Sequence, residues 1–187
     1  MNSITHLLSV MRDKLWNDCI DFHGHSCPGL ALGFRAAEIG AEELGIPLDK
    51  ATDEEIVCVV ENDACSVDAV QVLFSCTAGK GNLLFRIRGK QAYSFFDRKT
   101  GKKVRIVMSG VHREMERDEA MEYVLNAPKE EICIVKKPRF DLPEKAKLFN
   151  SIECEICEEL AREDLVRFQE GKQVCLECFV PYSRSYF

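Results

Sequence analysis

The sequence predicts an α+β protein, with helices packed on a mostly antiparallel sheet and a small four-cysteine zinc module behind them. Three observations predict it. The hydrophobic period changes along the chain in the order α-α-β-α-β-β-β-α-β, Gly- and Pro-containing turns separate the segments, and two C-x-x-C pairs stand near the C-terminus. The domains on this reading are a core over 1–135, a linker over 136–150 and a zinc finger over 151–187.

Residues 5–20 form an amphipathic helix, because Leu7, Leu8, Met11, Leu15 and Trp16 share a face. A second helix over 29–44 is entered through Pro28 and closed by Gly45, the expected asymmetry of helix ends. Its small residues (Ala31, Gly33, Ala36, Ala37, Gly40, Ala41) let another backbone pack close, so it should be buried. The apolar run 56–60 is a buried strand. Asp63 can cap a helix over 64–76, with Val67, Val70 and Phe74 inward. Strands follow at 83–88, 91–97 and 103–108, and turns at Gly89-Lys90 and Lys99-Thr100-Gly101 make them a meander. A helix near 116–126 and a strand near 131–135 close the core. The segment 136–150, with Pro138, Pro143 and five basic residues (Lys136, Lys137, Arg139, Lys145, Lys147), is a solvated connector.

The chain of 187 residues has a net charge of −6, which argues against a general affinity for nucleic acid or anionic membranes. No apolar run reaches the roughly 18 residues of a membrane span, and the N-terminus has no secretory pattern. The expected compartment is reducing cytoplasm, where ten cysteines point to metal or redox chemistry rather than disulfides.

Cys154-x-x-Cys157 and Cys175-x-x-Cys178 have the spacing of two zinc knuckles. Each pair brings two thiolates to one side, and together they make a closed tetrahedral shell, structural rather than catalytic. Strand residues around Val166 and Val174 flank a turn at Glu170-Gly171-Lys172. Residues 176–179 read as a last helix, so the module is a treble-clef or ribbon finger. Four basic against eight acidic residues over 151–187 make it a poor phosphate binder and suit it to protein contacts.

A second constellation lies in the core. His23-Gly24-His25-Ser26-Cys27 packs two imidazoles and a thiol into five residues, and Cys27 and Cys65 both stand at predicted helix starts, where thiolates are favoured. These are ligands for zinc, nickel or iron. Fully extended, His23 and Cys27 would be about 13 Å apart, so the chain must turn, which Gly24 permits. A continuous helix would separate Cys65 and Cys76 by about 16 Å of rise, leaving Cys76 without a clear place in the site. Cys19, Cys58 and Cys133 read as core. Gly79-Lys80-Gly81-Asn82 is either an anion cradle or a simple turn.

The stretches 22–36, 61–71 and 76–83 resemble the FmdE family of formylmethanofuran dehydrogenase subunits, over about 18–135 in all. Ser75 departs from it, standing where a glycine is expected. The resemblance implies an α+β core with a zinc-finger-like tail. It also implies association with a molybdenum or tungsten enzyme whose redox chemistry resides in other subunits.

Three functions follow as expectations. The first is a metal-binding accessory protein, partnered by a molybdenum or tungsten enzyme or its maturation machinery. The second is a metal-dependent enzyme using His23, His25, Cys27 and Cys65, with Cys27, Cys65, Asp68 and Lys80 as catalytic candidates and Asp21, Asp63 or Asp68 orienting a histidine. The third is a zinc-finger adaptor. Structural zinc, a second transition metal in the core and a homodimer built on helix 29–44 complete the expectations.

Overall fold

The computed structural model describes residues 3–48, 51–109, 115–182 and 184, with side chains from His6 onward. It divides into two compact units, Met1–Ala146 and Lys147–Phe187.

The larger unit is built from α1 (Ser3–His23), α2 (Pro28–Leu44), β1 (Ile56–Val60), α3 (Ser66–Phe74), β2 (Leu83–Phe85), β3 (Ala92–Asp97), β4 (Lys103–Met108), α4 (Arg117–Asn126), the single turn α5 (Lys129–Ile132) and β5 (Cys133–Lys136). The five strands run in the order β2-β1-β3-β4-β5. All neighbours are antiparallel except β1 and β2, which are parallel. This corrects the expected meander. A parallel pair needs a crossover, and α3 supplies it between β1 and β2. With β2 on one edge of β1, β3 returns on the other, and only β3, β4 and β5 pair in turn.

Leu30, Phe34, Ile39 and Leu44 of α2 bury completely against Phe74 of α3 and Tyr93, Phe95 and Ile106 of the sheet. The small residues of α2 are consumed within the chain. A Cβ on Gly33 would stand 1.9 Å from the Ser66 carbonyl oxygen, and one on Gly40 2.6 Å from the Phe95 ring. The face on which the expected homodimer rested is therefore already occupied by α3 and β3. Gly45 ends α2 at φ 70°, donating back to Glu42.

On the far side of the sheet, Val57, Val59 and Phe96 form a smaller cluster covered by Phe140 and Leu142. These belong to a segment after β5 that has no helix or strand yet packs along the sheet. Two further expectations need correction. Asp63 does not cap α3; the Asn62 carboxamide oxygen instead accepts from Ala64 N at 3.1 Å and Ser66 Oγ at 3.1 Å. The loop 77–82 is a turn braced by buried Asn82, whose side chain takes Thr77 N and donates to the Asp53 and Ile56 carbonyls. Ser75 adopts a left-handed backbone (φ 52°) at the end of α3, the conformation a glycine would hold without a Cβ penalty.

The smaller unit is two hairpins, β6 (Ser151–Glu153) with β7 (Leu160–Arg162) and β8 (Arg167–Gln169) with β9 (Lys172–Val174). The β8–β9 turn uses Glu170 and Gly171, both at positive φ. The expected last helix is absent among the described residues. After Cys175 a single bond from Phe179 N to Cys175 O closes one turn, and Pro181 cannot continue it. The finger is a ribbon rather than a treble clef.

Among the described residues, no helix is long and apolar enough to cross a membrane.

Candidate metal centres

In the ribbon, the sulfurs of Cys154, Cys157, Cys175 and Cys178 all lie within 4.8 Å of one another. Cys157 Sγ and Cys175 Sγ are 3.9 Å apart, close to the ~3.8 Å edge of a tetrahedron with metal–sulfur bonds of about 2.3 Å. Local backbone bonds make each knuckle. Glu158 N donates to Cys154 O, with Glu158 itself at φ 63°, and Phe179 N donates to Cys175 O. The knuckles are tied together by Glu155 N on Gln173 O and Cys175 N on Cys154 Sγ, with Gln173 N also donating to the Glu155 carboxylate.

The electrostatics call for a cation. Backbone N–H groups of Cys157 and Cys175 pull the Cys154 thiol down to about 6. Cys178 is pushed up to about 12 by its contact with Cys157, by burial and by Cys175. Four thiolates cannot coexist so closely unless a positive ion sits among them.

In the larger unit, three elements converge. His23 is the last residue of α1, Cys27 caps α2, and Cys65 immediately precedes α3. One ligand atom from each lies within 4.8 Å of the other two. His23 Nε2 is 3.9 Å from Cys27 Sγ. The other ring nitrogen, Nδ1, is 2.7 Å from Asp68 Oδ2, and Gln71 Nε2 donates to Asp68 Oδ1 at 3.0 Å. A proton on Nδ1 facing that carboxylate leaves the Nε2 lone pair toward the thiols, the arrangement that prepares a histidine for a metal. Cys27 Sγ accepts from Leu30 N at 3.3 Å. Burial and the neighbouring Cys27 push the Cys65 thiol up, against the expectation that its helix start would favour the thiolate.

Two glycines make this convergence possible. A Cβ at Gly29 would lie 3.2 Å from Cys65 Cβ and within 3.8 Å of both sulfurs. Gly33, one turn on, lets the Ser66 backbone rest directly on α2, which fixes where Cys65 enters the site.

His25 is outside the trio. The helix runs on to His23, Gly24 turns at φ 89°, and His25 is left exposed with its ring 4.5 Å (centroid to centroid) from that of His23. Of the candidate carboxylates, Asp68 meets His23, whereas Asp21 and Asp63 are exposed. Lys80 is spent elsewhere, donating to Ala51 O at 2.6 Å and Ser75 Oγ at 3.3 Å. Cys76 is buried away from the trio, donates to Ile56 O, and is pushed up to about 12 by burial. Cys19, Cys58 and Cys133 are buried core residues. His112 lies outside the described residues.

The extension of α1 was signalled by the spacing of Trp16, Cys19, Ile20 and His23, which continues the inward stripe past residue 20. The two site glycines carried no comparable signal, because their role is set by what approaches them.

Three comparisons bear on this geometry. Residues 22–134 match the family described as FmdE, molybdenum formylmethanofuran dehydrogenase operon. A curated Archaeoglobus fulgidus protein, named as a probable S-adenosyl-L-methionine-binding protein, is 31% identical over 87% of this chain. The chain spans about half, 51%, of that relative's length. A crystal structure of an FmdE-like protein of tungsten formylmethanofuran dehydrogenase, from Syntrophus aciditrophicus, superposes with a TM-score of 0.66. It is 22% identical, over 89% of this chain and 91% of that one, and so speaks to the fold.

Proposed function

The chain belongs to the FmdE family, and we propose that it is a metal-binding accessory protein with two unlike metal centres. In this reading a zinc ion in the ribbon is structural. The trio of His23, Cys27 and Cys65 holds a second transition metal with a coordination position left open. The observation that carries the second centre is the convergence of those three ligand atoms within 4.8 Å, with His23 held from behind by Asp68. Two thiolates and an imidazole suit zinc, nickel or iron, and a shell of three protein ligands leaves room for water, a substrate or an incoming donor group. The family name supports a partner among molybdenum or tungsten enzymes or the proteins that mature them.

A stand-alone metal enzyme is the second reading. It is favoured by a groove along α1 and α3, lined by Phe22, Gln71, Ser75 and Thr77, whose Gln71 is bonded to Asp68. In either case the chain's own residues do the same work: two thiols and His23 bind, and Asp68 orients the ring.

Cobalt(II) reconstitution tests the proposal, because thiolate-to-cobalt charge-transfer bands report each sulfur-rich site. The wild-type chain should take up two ions per chain, and Cys65→Ser and Cys175→Ser one each, with different spectra. A wild-type stoichiometry of one, or two ions retained by Cys65→Ser, would remove the core centre from the account.

A further inference from the structure

The face of the sheet turned away from the helices carries a cleft of about 330 Å³ that neither metal centre uses. Six cationic side chains line it: Arg86, Arg88, Lys90, Arg105, Lys136 and Arg139. One carboxylate faces them, Glu61, and Arg105 already takes both its oxygens at 2.7 and 2.8 Å. That pair is buried, and the guanidinium bonds hold the Glu61 carboxyl below its usual range, helped by Lys90 and Arg86. Among the described residues, none of the other five cations has a carboxylate within ion-pair distance. A chain of net charge −6 thus concentrates unpaired positive charge in one concave place.

The fold builds this arrangement. Glu61 follows β1, and its carbonyl accepts from Arg88 N at 2.8 Å and Lys90 N at 3.2 Å, while Arg86 N bonds to Val60 O. The alternation Arg86-x-Arg88-x-Lys90 is therefore drawn along the end of β1. Lys136 of β5 stands directly opposite Arg105 of β4 in the ladder. Like charges in that position disfavour the sheet unless something negative lies between or above them. Phe140 stacks on Phe96 at 5.7 Å, which anchors the segment bearing Arg139, and the Arg86 guanidinium lies 4.7 Å over the Phe140 ring. Forked guanidiniums around a concave surface match phosphate and carboxylate oxygens, and a cleft of one sign concentrates the field.

We propose that this cleft binds a small polyanion bearing adjacent phosphate groups, either an inorganic diphosphate or the phosphate tail of a nucleotide. Glu61 is its positioning residue, fixing Arg105 and the 86–90 loop around the anion. The volume suits a small molecule, and the negative chain around the cleft discourages a long polyanion such as nucleic acid.

Calorimetric titration of the full, metal-loaded chain with pyrophosphate, with ATP and with a short single-stranded oligonucleotide tests this. Pyrophosphate and ATP should bind one per chain and weaken as salt is raised. Equal affinities would assign the site to the phosphates alone, and tighter ATP binding would add the nucleoside to the recognised group. Arg88→Gln combined with Lys136→Gln, both exposed positions, should weaken binding at least about tenfold through the lost charged hydrogen bonds. Cys65→Ser should leave binding unchanged, which separates this cleft from phosphate coordinated to a core metal and from the proposed function itself. The proposal is overturned if neither small anion binds at millimolar concentration, if the double variant binds as wild type, if Cys65→Ser abolishes binding, or if only the oligonucleotide binds.

Discussion

The two cysteine clusters are made in opposite ways. The ribbon's four sulfurs come from two knuckles in one short segment, tied by a handful of backbone bonds, in a unit where only Cys154 and Val174 are buried among the described residues. Phe168 and Leu160 are more than two-thirds exposed there. The core trio comes from three helices whose packing is complete without any ion: Leu30, Phe34, Leu73 and Phe74 around it are fully buried. In the ribbon a metal must supply the fold, because so small a segment cannot gain enough from burial. In the core the fold supplies the metal site, through close helix contacts and a histidine braced by a carboxylate. A structural site can thus be read from local spacing, whereas an exchangeable site depends on packing far from its ligands.

That contrast can be broken by disturbing the packing alone. Gly33→Ala places a methyl group against the Ser66 carbonyl, a backbone atom that cannot swing aside. The expected cost is about 3 kcal/mol, the upper range for overpacking. Denaturant melts should show it, and the core should bind metal more weakly while ribbon occupancy stays as in wild type. Equal loss at both centres would mean that the core does not build its site independently.

A smaller effect sharpens the same contrast. Asp68→Asn removes the charge behind His23 without removing the bulk, and core metal affinity should fall about tenfold or more, the usual cost of losing such a partner. Competition with a chromophoric chelator measures it. The ribbon, whose sulfurs are oriented by backbone N–H groups, should be unaffected. Unchanged core affinity would show that the 2.7 Å His23–Asp68 contact is not what orients the ring.

The same distinction governs what the sequence disclosed. The C-x-x-C spacing is local, so the ribbon's ligand set could be read directly. Pro28 and Gly45 bracket α2 because helix ends are local chemistry too. Cys27 and Cys65 could be paired only through helix-start reasoning and a family resemblance. His25 was included because adjacency in sequence cannot show that Gly24 turns it away. The parallel placement of β2 was hidden, since a short strand after a loop reads alike in either direction, and the pairing is decided by the α3 crossover. The basic cleft was the least visible. Its cations come from the 86–90 loop, β4, β5 and the following segment, and they meet only once Arg105 is set opposite Lys136. Read along the chain, Lys136 and Arg139 belonged to a solvated connector.

Hydrogen exchange read by mass spectrometry, on the full chain stripped of metal by a chelator under reducing conditions, tests the central claim most directly. Peptides from 151–178 should lose their slowly exchanging amides and regain them on adding zinc, while α2 and α3 remain protected throughout. A ribbon that stays protected without metal, or an α2–α3 pair that loses protection with it, would contradict the account.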